Sequence, residues 1–525
     1  MSSQYGSAWI PIALCVLGST FAVALRSAPP ESPPRGPKLW AEIRIVDAAT
    51  KRGVPMVELE TVDGIRFVTD NAGRVAFQEP GLMGQEIFFS LRTHGYEVPR
   101  DGFHIAGIRA TPEAGIVRTV ELRRQNLAER LCRLTGEGLY RDSVLLGHDV
   151  PMKDSLNPGR VAGQDSVQAA IHNGKVWWLW GDTSRMGYPL GLFRTAGATT
   201  PIPDPKRADS DPASGIAFDY FLDKTGFVRA MMPLAERPEG VIWIFALFRV
   251  PDDRGIVRLY GHYSRRKGLD QEYEHGIARL DEEKAAFEPL VEFPLEEKWR
   301  RPTGHPIEYE EGGTKWLLFG SPTPNVRVPA TLEAVRDPAR YEAFTCANDK
   351  GDGPALAADG KPTWRWQKAL PPTDSKTERM WIAAKKLAPG YARFCPADAG
   401  SNSGERIVLH SGSVRFNEFR RCWVMVAGQI EGKSSHLGEV WYAESKHPCG
   451  PFAKAVRVLT HDRQTFYNVC HHGFLDRDGG RTIHFEGTYT NDFSGNPEKT
   501  PRYNYNQILY RLDLDGEKLK SARGE

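Results

Sequence analysis

The sequence predicts an all-β chain: a five-bladed β-propeller preceded by a small N-terminal β-sandwich. Two observations predict it. From Leu39 to about Arg123 the chain reads as short alternating strands broken by turns, as in Glu42 and Arg44 set against Ile43 and Ile45. From about Gly138 to the end, one pattern returns five times: small or polar residues, a β run, a Gly-containing turn, and a second β run rich in aromatics. At 525 residues the chain is too long for one ordinary core. Its 68 basic and 66 acidic residues give a formal charge of +2, too small a field to steer it onto nucleic acid.

The first segment, residues 1–25, holds an apolar run from Ala8 to Leu25 with no Lys or Arg before it; the first basic residue is Arg26. It reads as an export signal, with Ala22-Val23-Ala24 available to a peptidase, or as a retained single-span anchor that would attach the protein to a membrane. The expected location is secreted, periplasmic or at the cell surface. Residues 26–38 form a Pro-rich linker. Beyond Cys15, six cysteines remain: Cys132, Cys346, Cys395, Cys422, Cys449 and Cys470. An exported protein permits disulfides, but no close spacing pairs them, so bridges and buried free thiols both stay open. The absence of a C-x-x-C pattern predicts no metal site, and no cofactor is expected.

Residues 39–123 contain "VDAATKRGVPMVELET", "TDNAGRVAF" and "THGYEVP". These pieces resemble the carboxypeptidase regulatory-like domain, a transthyretin-like β-sandwich. The resemblance implies a fold, with a turn at Asn71-Ala72-Gly73, and a spacing, docking or stabilising role. Residues 124–137 include "NLAERLCRL" (126–134), whose helical spacing predicts a short connecting helix.

Residues 138–525 carry the five repeats, beginning "GQDSVQAAIHNGKVWWLWGDT", "GFVRAMMPLAERPEGVIWIFALF", "TGHPIEYEEGGTKWLLFGS", "HSGSVRFNEFRRCWVMVAGQ" and "VCHHGFLDRDGGRTIHFEGTYT". Each supplies the inner part of a four-stranded blade. Inserts at 201–212 and 348–403 are expected as rim loops. "GLYRDSVLLG" (138–147) is expected to give a strand to the last blade and close the ring.

The first repeat fixes its own register. Asn173-Gly174 is a two-residue hairpin turn, so opposed residues have numbers summing to 347, and Asp165 faces Asp182. Opposed β carbons lie roughly 4.5–5.5 Å apart, where like charges destabilise the pair unless they separate, share a proton or bind a cation. This arrangement suits acid–base chemistry such as glycoside hydrolysis, which uses one carboxyl to protonate the leaving oxygen and a second to activate water or attack. The equally open structural role for each aspartate is a turn cap.

In the last repeat, a two-residue turn at Asp478-Gly479 would set His471 opposite Glu486, and His305 occupies the matching start of another inner strand. Asp165, His305 and His471 are thus expected to converge on one end of the axis. Trp180 and Tyr503 complete the expected sugar-binding set; Arg502, Tyr503 and Tyr505 either form a sugar-binding rim or shape the loop before the final strand, and Glu439 is a further acid only if blade 4 turns it inward, a glutamate before a strand usually being solvated.

With these residues in place, the chain resembles the five-bladed propeller glycoside hydrolases, the arabinanase and xylosidase group. Asp165 matches the carboxylate at the start of their first inner strand. The ending "LWGDT" is similar to the endo-D-arabinanase branch, which implies that Asp182 is a second catalytic carboxylate. The resemblance implies an exported enzyme acting on a carbohydrate substrate through Asp165 and Asp182, with His305, His471, Glu486, Trp180 and Tyr503 binding sugar. A non-catalytic propeller that binds glycan or protein is the alternative. An open pocket with aromatic walls around both aspartates would separate the two.

Overall fold

The computed structural model describes residues 39–207, 210–401, 404–500 and 503–523. The apolar N-terminal run, the Pro-rich linker and Arg502 lie outside the described residues. Among the described residues no helix is long and apolar enough to cross a membrane.

The N-terminal part forms two four-stranded sheets. One is built from Ala41–Asp47, Arg74–Phe77, Val117–Arg124 and Tyr96–Glu97; the other from Glu58–Thr61, Arg66–Val68, Ile87–Arg92 and Gly107–Ala110. Alternate residues of both, including Ile43, Ile45, Leu59, Phe77, Phe89 and Leu122, point inward into one core. At the turn between, Asp70 Oδ1 accepts from the amides of Ala72 and Arg74, and Gly73 takes a φ of 71°. A β carbon on Gly73 would stand 2.3 Å from the Ile45 carbonyl oxygen, so only glycine fits there.

Five blades follow, each with its first strand innermost. The inner strands are Gln168–His172, Val241–Pro251, Ile307–Glu311, Leu409–Asn417 and Thr465–His471. The blade cores carry the aromatics of the repeats: Trp178 and Trp180 are fully buried in blade 1, and Tyr442, Phe466, Phe485 and Tyr510 pack where blades 4 and 5 meet. In blade 2 the inner hairpin pairs Val241–Pro251 with Val257–Lys267, one strand later than the repeat text suggests. The insert at 348–403 is more than rim loop: Arg365–Gln367 becomes the fifth strand of blade 3, Ala397–Asp398 adds in parallel to the edge of blade 4, and Ser375–Ala383 is helical. All six described cysteines are free, and all but the half-buried Cys422 are buried.

Ring closure overturns two expectations. The predicted connecting helix is a strand, Glu129–Arg133, and it is the outermost strand of blade 5, pairing Leu509 with Cys132 and Ile508 with Arg133. The expected closing strand at 138–147 is instead a short helix, Arg141–Leu145. Helical periodicity misleads because the strand is buried along its whole length, on both faces, so apolar and polar residues do not alternate. Its acid is ion-paired inside the protein, and its arginines bond neutral polar groups. Glu129 meets Arg52 at 3.3 Å and Arg511 at 2.8 Å, and Arg130 donates to Thr93.

The N-terminal sheets hold this strand from its other side. The Asn71 amide bonds Arg133 twice, donating to its carbonyl and accepting from its N–H, both at 2.9 Å. A side chain thereby imitates a ladder neighbour. Asn71→Ala leaves a buried N–H and C=O unpaired, so it should cost about 2–4 kcal/mol of unfolding free energy. Chemical denaturation of both proteins measures the difference, and a change below about 0.5 kcal/mol would show that the clasp carries no weight.

Candidate active site

The inner strands define two axial cavities. Each strand, with the residues just before it, gives its earlier positions to one cavity and its later positions to the other: Asp165, Ser166 and Gln168 against Ala169 to Ile171 in blade 1, Ser411 against Arg415 and Phe416 in blade 4, Tyr467 and Asn468 against Cys470 and His471 in blade 5. The cavities therefore open at opposite ends of the axis. The first, about 690 Å3, contains both aspartates; the second is about 420 Å3.

The Asn173-Gly174 register holds as expected, with His172 opposite Lys175 and Gln168 opposite Leu179. Beyond the aspartates the same register resumes, with Gln164 opposite Thr183. Between these stretches Ser166, at φ 56°, breaks the ladder. The Asp165 amide still donates to the Asp182 carbonyl at 3.2 Å. The Asp182 amide, however, donates to the Asp165 carboxylate at 2.8 Å rather than to its carbonyl. A carboxylate has thus replaced one backbone acceptor, which fixes its position relative to Asp182. Gly181 makes room for it: a β carbon there would stand 2.4 Å from Asp165 Oδ1.

The two carboxyls differ in their surroundings. Asp165 also accepts from the Tyr467 hydroxyl at 2.7 Å and from Tyr505. Asp182 accepts from the Trp243 indole N–H at 2.9 Å. Burial raises the pKa of both above the usual carboxylate range. Its several donors oppose this at Asp165, whereas Asp182 has one indole donor and feels the Asp165 charge, and it is pushed up to about 6. Tyr467, Tyr505, Trp243, Phe245 and Phe493 give the cavity aromatic walls.

Strained backbone surrounds the pair. Ser166, Ala246, Asn468, Phe493 and Tyr505 all have positive φ, and the ladders of blades 2, 4 and 5 slip register at Phe245/Phe248, Leu409/Gly412 and Tyr467/Cys470. Such bulges turn a residue out of the alternation and aim it at the axis.

His305 lines the same cavity, its Nδ1 3.5 Å from Cys470 Sγ. Burial and the nearby Arg415 and His472 hold it neutral, well below the ordinary histidine range. The other expected residues lie elsewhere. His471 lines the opposite cavity and bonds Asp476 at 3.0 Å. It faces Phe485, because the turn contains two short helical segments instead of two residues, and Glu486 faces Cys470. Glu486 bonds His472 at 2.6 Å; burial pushes the acid up and the imidazole down from their ordinary ranges. Trp180 packs against Phe218 and Tyr220 inside blade 1. Tyr503 is buried beneath the Arg133 guanidinium, 3.7 Å from its ring. Glu439 is buried against Arg457 at 2.6 Å. Tyr505 reaches the cavity.

Sequence reasoning missed Trp243, Tyr467, Glu272 and Arg301, all of which line the cavity. Trp243 and Tyr467 were within reach, since each belongs to an inner strand near its start; blade 2 was misassigned, and blade 5 was read from Val469 onward. Among the described residues, no group of three or more His, Cys, Asp or Glu is arranged to hold a metal ion.

No family model matches the chain, and no curated protein matches it. Solved structures are similar at low scores. A putative exo-β-1,3-galactanase from Bifidobacterium bifidum s17 is 10% identical over 73% of this chain and 93% of that chain, with a TM-score of 0.35. The α-L-arabinanase of Cellvibrio cellulosa is 11% identical over 67% and 92%, at 0.33. The GH43_1 enzyme from Xanthomonas citri complexed with xylose is 13% identical over 67% and 87%, at 0.30. Scores this low establish neither a family nor a chemistry for the chain.

The causes of the Asp182 shift make a test. Asp165→Asn removes a neighbouring negative charge and should lower the Asp182 midpoint from about 6; Trp243→Phe removes a donor to the charged form and should raise it. Carboxyl 13C NMR titration reads both, and shifts of the opposite sign would contradict the contacts.

Proposed function

We propose that the protein is an exported glycoside hydrolase whose reaction centre is the Asp165–Asp182 pair. The observation that carries the reading is the pair itself, held by a side-chain-to-backbone hydrogen bond in an open cavity of about 690 Å3 walled by aromatic rings. A cavity of this size fits a few sugar rings, and flat aromatic faces suit them. The likeness of "LWGDT" to the endo-D-arabinanase branch supports the same role for Asp182.

The two environments assign the roles. Asp182, raised to about 6, is the proton donor to the leaving oxygen. Asp165, with hydroxyl and amide donors around its oxygens, is the carboxylate that attacks the anomeric carbon or activates water. Protonation of the glycosidic oxygen breaks the bond to the anomeric carbon, and the proton is restored to Asp182 from water by the end of the cycle. His305, neutral and facing the cavity, hydrogen-bonds a sugar hydroxyl. The apolar run from Ala8 to Leu25 supports export or membrane attachment.

A glycan panel assayed for new reducing ends tests the proposal. On a cleaved glycan, Asp165→Asn and Asp182→Asn should each lower kcat by about 10²-fold or more. Unchanged rates in both variants would remove these residues from the mechanism. Because Asp182 must be protonated to act, kcat/KM should fall as pH rises through about 6. In Trp243→Phe that limb should move to higher pH; a rate that climbs steadily from pH 5 to 8 would sink the assignment of Asp182 as the acid.

A further inference from the structure

The cavity is electrically lopsided. Asp165, Asp182 and Asp492 line one side of it, from blades 1 and 5. Arg266, Lys298, Arg301 and Glu272 line the other, from blade 2 and the segment leading into blade 3.

On that second side one carboxylate faces three cations. Glu272 is saturated: it accepts from Ser264 Oγ at 2.5 Å, meets His275 Nδ1 at 3.1 Å, pairs with Arg301 and lies 3.5 Å from Arg266. These partners outweigh its burial and hold it ionised, down to about 2. Burial lowers the pKa of His275 against the opposing pull of Glu272, so the count of cations rests on Arg266, Lys298 and Arg301. The excess is therefore about two positive charges. Arg301 is nearly consumed, with its second η nitrogen on the Leu295 carbonyl. Arg266 is not. Of its five N–H groups, one bonds the Leu269 carbonyl and the η1 nitrogen makes only the long contact with Glu272, while about a fifth of the side chain stays open. Lys298 is exposed, and its ammonium has no hydrogen-bond or ion-pair partner among the described residues.

Position gives this charge a meaning. The Arg266 guanidinium lies 5.9 Å from the centre of the Trp243 ring, and the indole N–H of that ring is bonded to Asp182. A sugar bound against Trp243 would lie within reach of both Asp182 at the indole N–H and Arg266 over the ring. A neutral glycan would have no counterpart for the unspent cations, whereas an anionic substituent would form charge-assisted, two-pronged hydrogen bonds with a guanidinium.

We infer that the substrate is an acidic glycan, whose sugar beside the cleaved bond carries a carboxylate or an ester sulfate bound by Arg266 and Lys298. The inference rests on the hydrolase reading for its placement beside a cleaved bond; the charge selection stands on the cavity alone.

The test uses the full chain with oligosaccharides of glucuronan, polygalacturonate and chondroitin, each beside its carboxyl-reduced neutral counterpart, and with a sulfated chondroitin. Calorimetric binding and reducing-end release are both measured. An acidic member should bind about tenfold or more tightly than its reduced counterpart, and the preference should shrink with added salt. Arg266→Gln should abolish the preference and Lys298→Gln, at an exposed position where folding is not at risk, should weaken it several-fold. Preference for the sulfated over the unsulfated chondroitin would assign the group as sulfate, and the reverse would assign it as carboxylate. Neutral members bound or cleaved as well as acidic ones, or no acidic member bound at all, would overturn the inference. Cleavage without charge preference would leave the hydrolase reading standing alone; charge preference without cleavage would do the opposite.

Discussion

The molecule depends on one pairing, that of Glu129–Arg133 with Asn506–Asp513. Five blades share an axis only if the ring is closed, and backbone hydrogen bonds between the first and last parts of the propeller close it. The closing strand has no solvent-facing side. Its charged residues are matched by Arg52, Arg511, His94 and Thr93, and its backbone is held by Asn71. The N-terminal sheets are therefore part of the closure and not a tethered appendage, and residues from Leu39 onward form one compact unit.

Closure brings the starts of five inner strands together, and bulges decide what those starts display. An unbroken strand alternates its side chains between faces; positive φ at Ser166, Ala246 and Asn468 interrupts the alternation where the cavity opens. Non-glycine residues in this region cost roughly 1–3 kcal/mol each. The well-packed blades, with Trp178, Phe466 and Tyr510 fully buried, supply the rigidity that maintains them. A core built for stability thus supports a rim built for chemistry.

What could be read in the sequence follows the range of the forces involved. The Asn173-Gly174 turn is local, and it set the register that brings Asp165 to Asp182, each eight residues from the turn. The repeated aromatic hairpins marked the blades for the same reason, except that the inner hairpin of blade 2 lies one strand later than its repeat text. The closing strand was misread because its burial on both faces, and the polar contacts that permit it, come from partners remote in sequence, from Thr93 and His94 to Arg511. Glu486 and His471 were misplaced by a turn whose length the Asp-Gly pair did not reveal. Glu272 and Arg301 left no local signal at all, since each is an ordinary charged residue until blade 2 and the entry to blade 3 bring them together.

The closing pairing also sets the order in which the chain can be completed. Thr135 receives the amide of Gln507, a partner 372 residues further along. During synthesis, the strand at 129–133 emerges early and must wait, with its charges and backbone unsatisfied on the blade side, until almost the whole protein has been made. Contacts of such sequence separation form slowly. The N-terminal sheets, made first and already able to bind this strand through Asn71 and Arg52, would shield one side of it during the delay. They then act as an intramolecular holding clamp, and a truncated chain would carry an exposed edge at both ends of an open arc.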